Sequence, residues 1–273
     1  MIRYQVELFL LSLAFLTRVP VPASLPFSEQ RLRESARFFP LVGLFIGAAL
    51  AAVFAILSAI FPASVAVALT LAFSIRLTGA FHEDGFADAC DGLGGGFERS
   101  QILAIMKDSR IGTYGALGSI LMLATKGLAL YHLAEQGLDR IAIAFIVAHP
   151  ASRLGATALN VGLPYVREDA DSKAKPLARE LTLKELLVAS FFGLLPLILL
   201  PIGESALVFF MLIAMIGLAA RFYMRRLGGY TGDLLGAAQQ VAELGIYLAL
   251  LASPTLLTLS SDFMPELLSL PER

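Results

Sequence analysis

The chain is predicted to be all-α, a polytopic integral membrane bundle of about seven transmembrane helices. Three observations carry that expectation. Hydrophobic residues make up 57% of the 273 and charged residues only 16%, with mean hydropathy +0.76. Several apolar runs approach the roughly 20 residues a helix needs to cross about 30 Å of hydrocarbon. The cations fall in alternate loops rather than throughout. Net charge is −1, so no basic field points to nucleic acid as a partner.

In chain order, Met1 to Ala23 mimics a signal peptide, with Arg3 before the apolar run Leu8–Leu16. Glu7 interrupts it, and Val19-Pro20-Val21-Pro22 stands where a small-x-small cleavage site would be. It reads as a retained amphipathic segment in or near the membrane interface. Residues 28–38 read as a short basic surface helix. Residues 1–38 thus form an N-terminal arm of one membrane-embedded domain, 1–273. Spans are expected at about 39–61, 63–81, 111–134, 140–162, 186–202, 204–224 and 234–256. The fifth is short, and Pro196 and Pro201 weaken it further.

With the N-terminus placed in the cytoplasm, sixteen Lys and Arg fall on the cytoplasmic side and two, Arg140 and Arg273, on the other. That positive-inside bias predicts an inner-membrane, multi-pass chain with N-in and C-out topology. The 82–110, 163–185 and 221–233 loops then share the cytoplasmic face, and an active site is expected there. Three cations lie inside spans. Arg76 and Lys126 are expected to snorkel outward, and Arg153 to pair with Glu243 at matching depth. His149, before Pro150 and its expected kink, reads as a helix-packing residue. Cys90 is the only cysteine, so it forms no intrachain disulfide and reads as packing.

The chemistry concentrates in Gly79–Gly96. Asp84, Asp88 and Asp91 stand at i, i+4 and i+7, within an arc of roughly 60° on one helical face. Like charges so placed repel, and a divalent cation such as Mg²⁺ is the simplest compensation. The plain alternative is a solvated acidic turn between two spans. His82 adjoins the motif as base, phosphate contact or cap.

A second cluster, Lys107-Asp108-Ser109-Arg110-Ile111-Gly112-Thr113-Tyr114-Gly115, opens the next span. Lys107 and Arg110 suit phosphate oxygens, Asp108 suits a metal or a proton, and the glycines let backbone amides approach an anion. Juxtamembrane cations that meet only lipid head groups would look alike. A third cluster, Leu227-Gly228-Gly229-Tyr230-Thr231-Gly232-Asp233, opens the last span. Asp233 there is either an N-cap or a carboxylate facing the same pocket.

Together these clusters resemble the cobalamin synthase family, the adenosylcobinamide-GDP ribazoletransferases. The likeness runs through Phe15–Pro22, Phe39–Gly43, Phe81–Asp88, Asp91-Gly92, Met106–Gly115, Ser152-Arg153 and Gly228–Ala237, in order and spacing. It implies attack by the ribose 3′-hydroxyl of α-ribazole, or its 5′-phosphate, on adenosylcobinamide-GDP. GMP is released and adenosylcobalamin or its 5′-phosphate is formed. Asp84, Asp88 and Asp91 would hold Mg²⁺. Lys107, Ser109, Arg110, Thr113, Arg153 and Thr231 would bind substrate, and His82, Asp108 or Asp233 would handle the hydroxyl. Membrane lipid is the expected surround, and a homo-oligomer is compatible with the sequence. Two features depart from the family pattern: Glu83 replaces a usually apolar residue, and residues 168–176 are unusually charged.

The acidic spacing alone also suits CDP-alcohol phosphotransferases and intramembrane prenyltransferases. A divalent-cation or anion transporter would instead need polar residues on both sides of the midplane. No 20–50-residue repeat supports that reading.

Overall fold

A computed structural model describes residues 2–167 and 181–268, and its regular elements are all helical. These are α1 (Ile2–Leu16), α2 (Glu29–Ser35), α3 (Phe39–Ser58), α4 (Ala63–Thr78), α5 (Phe81–Gly95), α6 (Arg99–Ile105), α7 (Thr113–Glu135), α8 (Leu138–Gly162), α9 (Leu183–Leu194), α10 (Ile202–Leu227) and α11 (Gly232–Leu268). Short 3₁₀ turns follow α2 and α9. The charged segment 168–176 singled out in the sequence lies outside the described residues.

Local chemistry explains most boundaries. Ser28 caps α2 by accepting the Arg31 N–H at 3.1 Å, and Thr182 with Glu185 forms a reciprocal capping box on α9. Pro62 and Pro201 precede α4 and α10, and α10 ends at Gly228 with φ 76°, a left-handed cap that glycine enters without strain.

Five helices are long and apolar enough to span a membrane: the α2–α3 unit, α7, α8, α10 and the Gly232–Ser253 part of α11. The bent pair α4–α5 makes a sixth if counted as one span. The expected seven spans are therefore corrected at 186–202. There α9 stops after twelve residues and passes into 3₁₀ turns through Leu199, because Pro196 cannot donate to a helical ladder. These short pieces still return the chain between the two ends of the bundle. Tyr165, after α8, bridges Tyr230, before α11. At the opposite end, Arg140 of α8 binds Glu204 of α10 at 2.6 and 3.0 Å.

The bundle centres on α8, whose Ala144, Ala148 and Ala151 are fully buried. Gly43 and Gly47 let α3 cross it closely, since a methyl group at either position would meet the His149 or Phe145 carbonyl oxygen at 2.5 or 2.4 Å. This is the small-x-x-x-small contact by which membrane helices approach one another. α1 packs on this core through Leu13 and Leu16, which are 7% and 2% exposed.

The feature that positions the acidic motif is the break between α4 and α5. Gly79 and Ala80 both adopt left-handed backbone, φ 67° and 57°, a region costly for alanine. They swing α5 by 91° from α4. Arg18 holds the corner, its N–H donating to the Leu77 carbonyl at 2.7 Å.

Candidate functional site

Three segments far apart in sequence meet where α5 crosses the start of α11. The helices touch through glycines: a methyl at Gly85 would lie 3.0 Å from Asp233 Cα, and one at Gly236 would lie 3.2 Å from the His82 carbonyl oxygen. Asp84 is exposed and Asp88 half-buried on α5. Asp233 faces them from α11, and Asp88 feels the charges of both Asp84 and Asp233. Asp233 is in turn held by Arg167, 2.8 Å away.

Arg167 is the residue that sequence reasoning missed. It binds Asp233 and also donates to the Met106 carbonyl at 3.0 Å, so it joins the chain after α8 to the α6–α7 loop and to α11. The Val166 N–H donates to the Tyr230 carbonyl at 3.0 Å, and the Tyr230 N–H to the Pro164 carbonyl at 2.9 Å. Gly229 permits that approach, since a side chain there would strike the Pro164 carbonyl oxygen. The only sequence signal was a cationic residue just after a span, which many membrane proteins show.

Beside this junction lies an open crevice of about 600 Å³ lined by Arg99, Ser100, Lys107 and Arg167, among others. Lys107 is exposed there. Ser109 and Arg110 are exposed on the same loop, and Thr113 is exposed at the start of α7. Asp108 and Arg110 engage each other, the guanidinium reaching both carboxylate oxygens at 2.6–3.1 Å. That contact holds the Asp108 carboxyl down to about 2.

The other expected site residues are placed differently. Asp91 is buried, and its two oxygens accept the Gly112 and Gly115 N–H groups at 2.7 and 2.8 Å. Thr231 is fully buried, and its hydroxyl accepts the Leu234 N–H at 3.2 Å, capping α11. His82 is buried and lines a cavity with Arg153, away from the exposed Asp84. The plain reading of the acidic run as a mere turn does not hold, because α5 is helical from Phe81 to Gly95.

The expected Arg153–Glu243 ion pair is also corrected. Glu243 pairs with Lys126 at 2.8 Å, so Lys126 turns inward instead of snorkelling. Arg153 donates to the His149 carbonyl at 2.9 Å, and His149 lies 3.4 Å from Glu243. α7 approaches α11 closely enough that Lys126 reaches Glu243 before Arg153 does. Gln239 and Gln240 complete the chain of bonds, and Gln240 donates to Glu83 on α5 at 3.2 Å. Glu83, to which the sequence assigned no role, therefore ties α5 to this buried network.

The donor set suits Mg²⁺. Among the described residues no three His, Cys, Asp or Glu side chains form a closed metal cage. Asp84 and Asp88 fit the other way of holding this ion, in which one or two carboxylates are completed by water and substrate phosphates.

Residues 8–251 match the family described as cobalamin-5-phosphate synthase. A protein of Shewanella amazonensis named adenosylcobinamide-GDP ribazoletransferase is 46% identical over 248 residues, 90% of this chain and 95% of that one. Proteins of the same name from Vibrio parahaemolyticus and Leptothrix cholodnii are 43% and 44% identical over 92% and 91% of this chain, covering 94% and 96% of their own lengths. No solved structure matches. With a family match over nearly the whole chain and relatives above 40% identity across it, the chain belongs to the cobalamin-5-phosphate synthase family.

Proposed function

We propose that this family member joins α-ribazole, or its 5′-phosphate, to adenosylcobinamide-GDP where α5 crosses α11, releasing GMP. The ribose 3′-oxygen bonds to the phosphorus that carries the cobinamide arm, and the bridging P–O bond to GMP breaks. Adenosylcobalamin or its 5′-phosphate is the product. The observation that carries this reading is the meeting of Asp84, Asp88 and Asp233 beside a crevice lined by Arg99, Lys107 and Arg167. Carboxylates and cations side by side are what opening a diphosphate requires, because its catalysis is mostly positioning and charge stabilisation.

Asp84 and Asp88 would hold Mg²⁺, which when bound offsets charge on the diphosphate oxygens. Asp91 acts one layer back by fixing α7 to α5. Lys107 and Arg99 bind phosphate oxygens in the crevice, and Ser109, Arg110 and Thr113, exposed a few residues after Lys107, are available to the same substrate. Asp233 is better suited than Asp108 to orient or deprotonate the hydroxyl. A carboxylate held near 2 is a poor base at neutral pH, whereas Asp233 stands across from Asp84 and Asp88. A cytoplasmic face for the site is supported by the sequence's positive-inside bias, sixteen Lys and Arg in one set of expected loops against two in the other.

The test is GMP release by the full chain in lipid, with and without Mg²⁺, for wild type, Asp84→Asn and Asp88→Asn. Metal-dependent release lost in both folded variants supports the reading. No release from folded wild type overturns it, and CDP-alcohol and prenyl diphosphate substrates come next.

A further inference from the structure

Behind α5, a cavity of about 490 Å³ lies between α5, α8, α10 and α11. Phe86 and Cys90 line it from α5, each two residues, and so about 200° around the helix, from Asp84 and Asp88. Small residues ordinarily draw membrane helices together. Here Ala89, Gly155, Ala219, Ala237 and Ala238 border open space instead. Leu218, Phe222 and Val241 belong to the lining and are also 67%, 43% and 43% exposed. The cavity therefore opens sideways, on the flank of two spanning helices. Among the lining residues the only hydroxyl is that of Tyr223, and it donates to the Leu234 carbonyl at 2.9 Å. With no strong hydrogen-bonding group left to offer, the slot suits an apolar occupant.

One end of this slot is cationic. Along α10 the face of Leu218 and Phe222 continues to Arg225, seven and three residues on, with Arg221 one turn before it. Arg225 stands about 4.5 Å along the axis beyond Phe222. Arg221 and Arg225 are exposed, and neither has a hydrogen bond or ion pair among the described residues. Arg226 closes the end by donating to the Leu93 and Gly96 carbonyls at 3.3 and 2.9 Å. An apolar slot that ends in such cations at the edge of a span fits an acyl chain carrying a phosphate. A symmetric second copy would instead set its own arginines against these.

We infer that the slot seats one acyl chain of an anionic phospholipid, whose phosphate meets Arg221 and Arg225. The tail fills the gap between α5 and α10 and backs α5 on the side away from Asp84 and Asp88. The slot shares no lining residue with the crevice of Lys107 and Arg167, so it is independent of the reaction catalysed there.

The test takes the full chain, delipidated in a mild detergent, and titrates it with dioleoyl phosphatidylglycerol. Native mass spectrometry counts bound lipids. Alkylation of Cys90, the only cysteine, by N-ethylmaleimide reports on the slot. Phosphatidylcholine with the same tails, and glycerol 1-phosphate, a head without tails, are the comparison arms. One phosphatidylglycerol should bind saturably and slow Cys90 alkylation about tenfold or more. Phosphatidylcholine should bind more weakly by about fivefold or more, the worth of one arginine near an anionic head group. Glycerol 1-phosphate should leave alkylation unchanged. Ala219→Phe should abolish lipid binding by filling the slot, and Ala219→Leu serves if that variant fails to fold. Arg225→Gln should remove about fivefold of the preference for phosphatidylglycerol. Equal binding of the two lipids, slowing by glycerol 1-phosphate alone, binding unchanged in the filled variant, or Cys90 protected by dimer formation without lipid would each overturn the inference.

Discussion

The Asp91 carboxylate on α5 accepts the Gly115 N–H at 2.8 Å while its other oxygen takes the Gly112 N–H at 2.7 Å. One side chain thus supplies the cap that α7 lacks from its own sequence, since Gly112 has no side chain to offer. Asp91→Ala should destabilise the protein by about 1.5–3 kcal/mol, the range for hydrogen bonds to a charged group, and Asp91→Asn by less. Thermal unfolding in detergent checks this. A stability equal to wild type in Asp91→Ala, with activity lost, would return Asp91 to the metal.

Gly85 governs how closely α5 meets α11. A methyl there would press on Asp233 Cα at 3.0 Å, shifting Asp84 and Asp88 relative to Asp233. Displacements near 1 Å can cost on the order of 10²-fold in rate. Gly85→Ala should therefore lose GMP release at least tenfold while its unfolding temperature changes little. An active Gly85→Ala protein would mean that the α5–α11 spacing does not set the site.

Lys126 and Glu243 form a buried pair in the bundle interior, 3% and 7% exposed along their side chains. Removing one partner leaves an uncompensated charge, a loss of about 3–5 kcal/mol for buried pairs. Lys126→Met and Glu243→Gln should each be poorly stable, and the exchange Lys126→Glu with Glu243→Lys should recover part of the loss. The same exchange between Arg153 and Glu243 should recover none. Melting temperatures of the purified variants distinguish the two pairings.

The pH behaviour of Asp108 has a definite sign. Arg110 lowers its carboxyl from an ordinary 3.8 to about 2, so the contact is fully present above pH 3.8 and is lost as pH falls toward 2. Asp108 does not titrate in the neutral range. Asp108→Asn should lower the level of the GMP-release profile between about pH 6 and 9 and leave its shape unaltered. An acid limb that vanishes in Asp108→Asn would make Asp108 the base.

Much of this molecule was legible in its residues because the signals are local. Apolar runs, Pro62 and Pro201, the i, i+4 spacing of Asp84 and Asp88, and the order of the glycine-rich clusters need no tertiary information. Their number and sequence led to the family, and the alternation of cations led to one shared face. What stayed hidden depended on which helices become neighbours. Lys126 looked like a snorkelling residue until α7 lay beside α11 and Glu243 came within reach. Asp91 looked equivalent to Asp84 and Asp88 until the start of α7 claimed both its oxygens. Arg167 had no visible role until the Tyr165–Tyr230 bridge brought its loop to Asp233. Helical periodicity sets which face a side chain occupies, but partners separated by dozens of residues are chosen by packing, and in this bundle packing set two of three aligned carboxylates near Asp233 and made the third a structural cap.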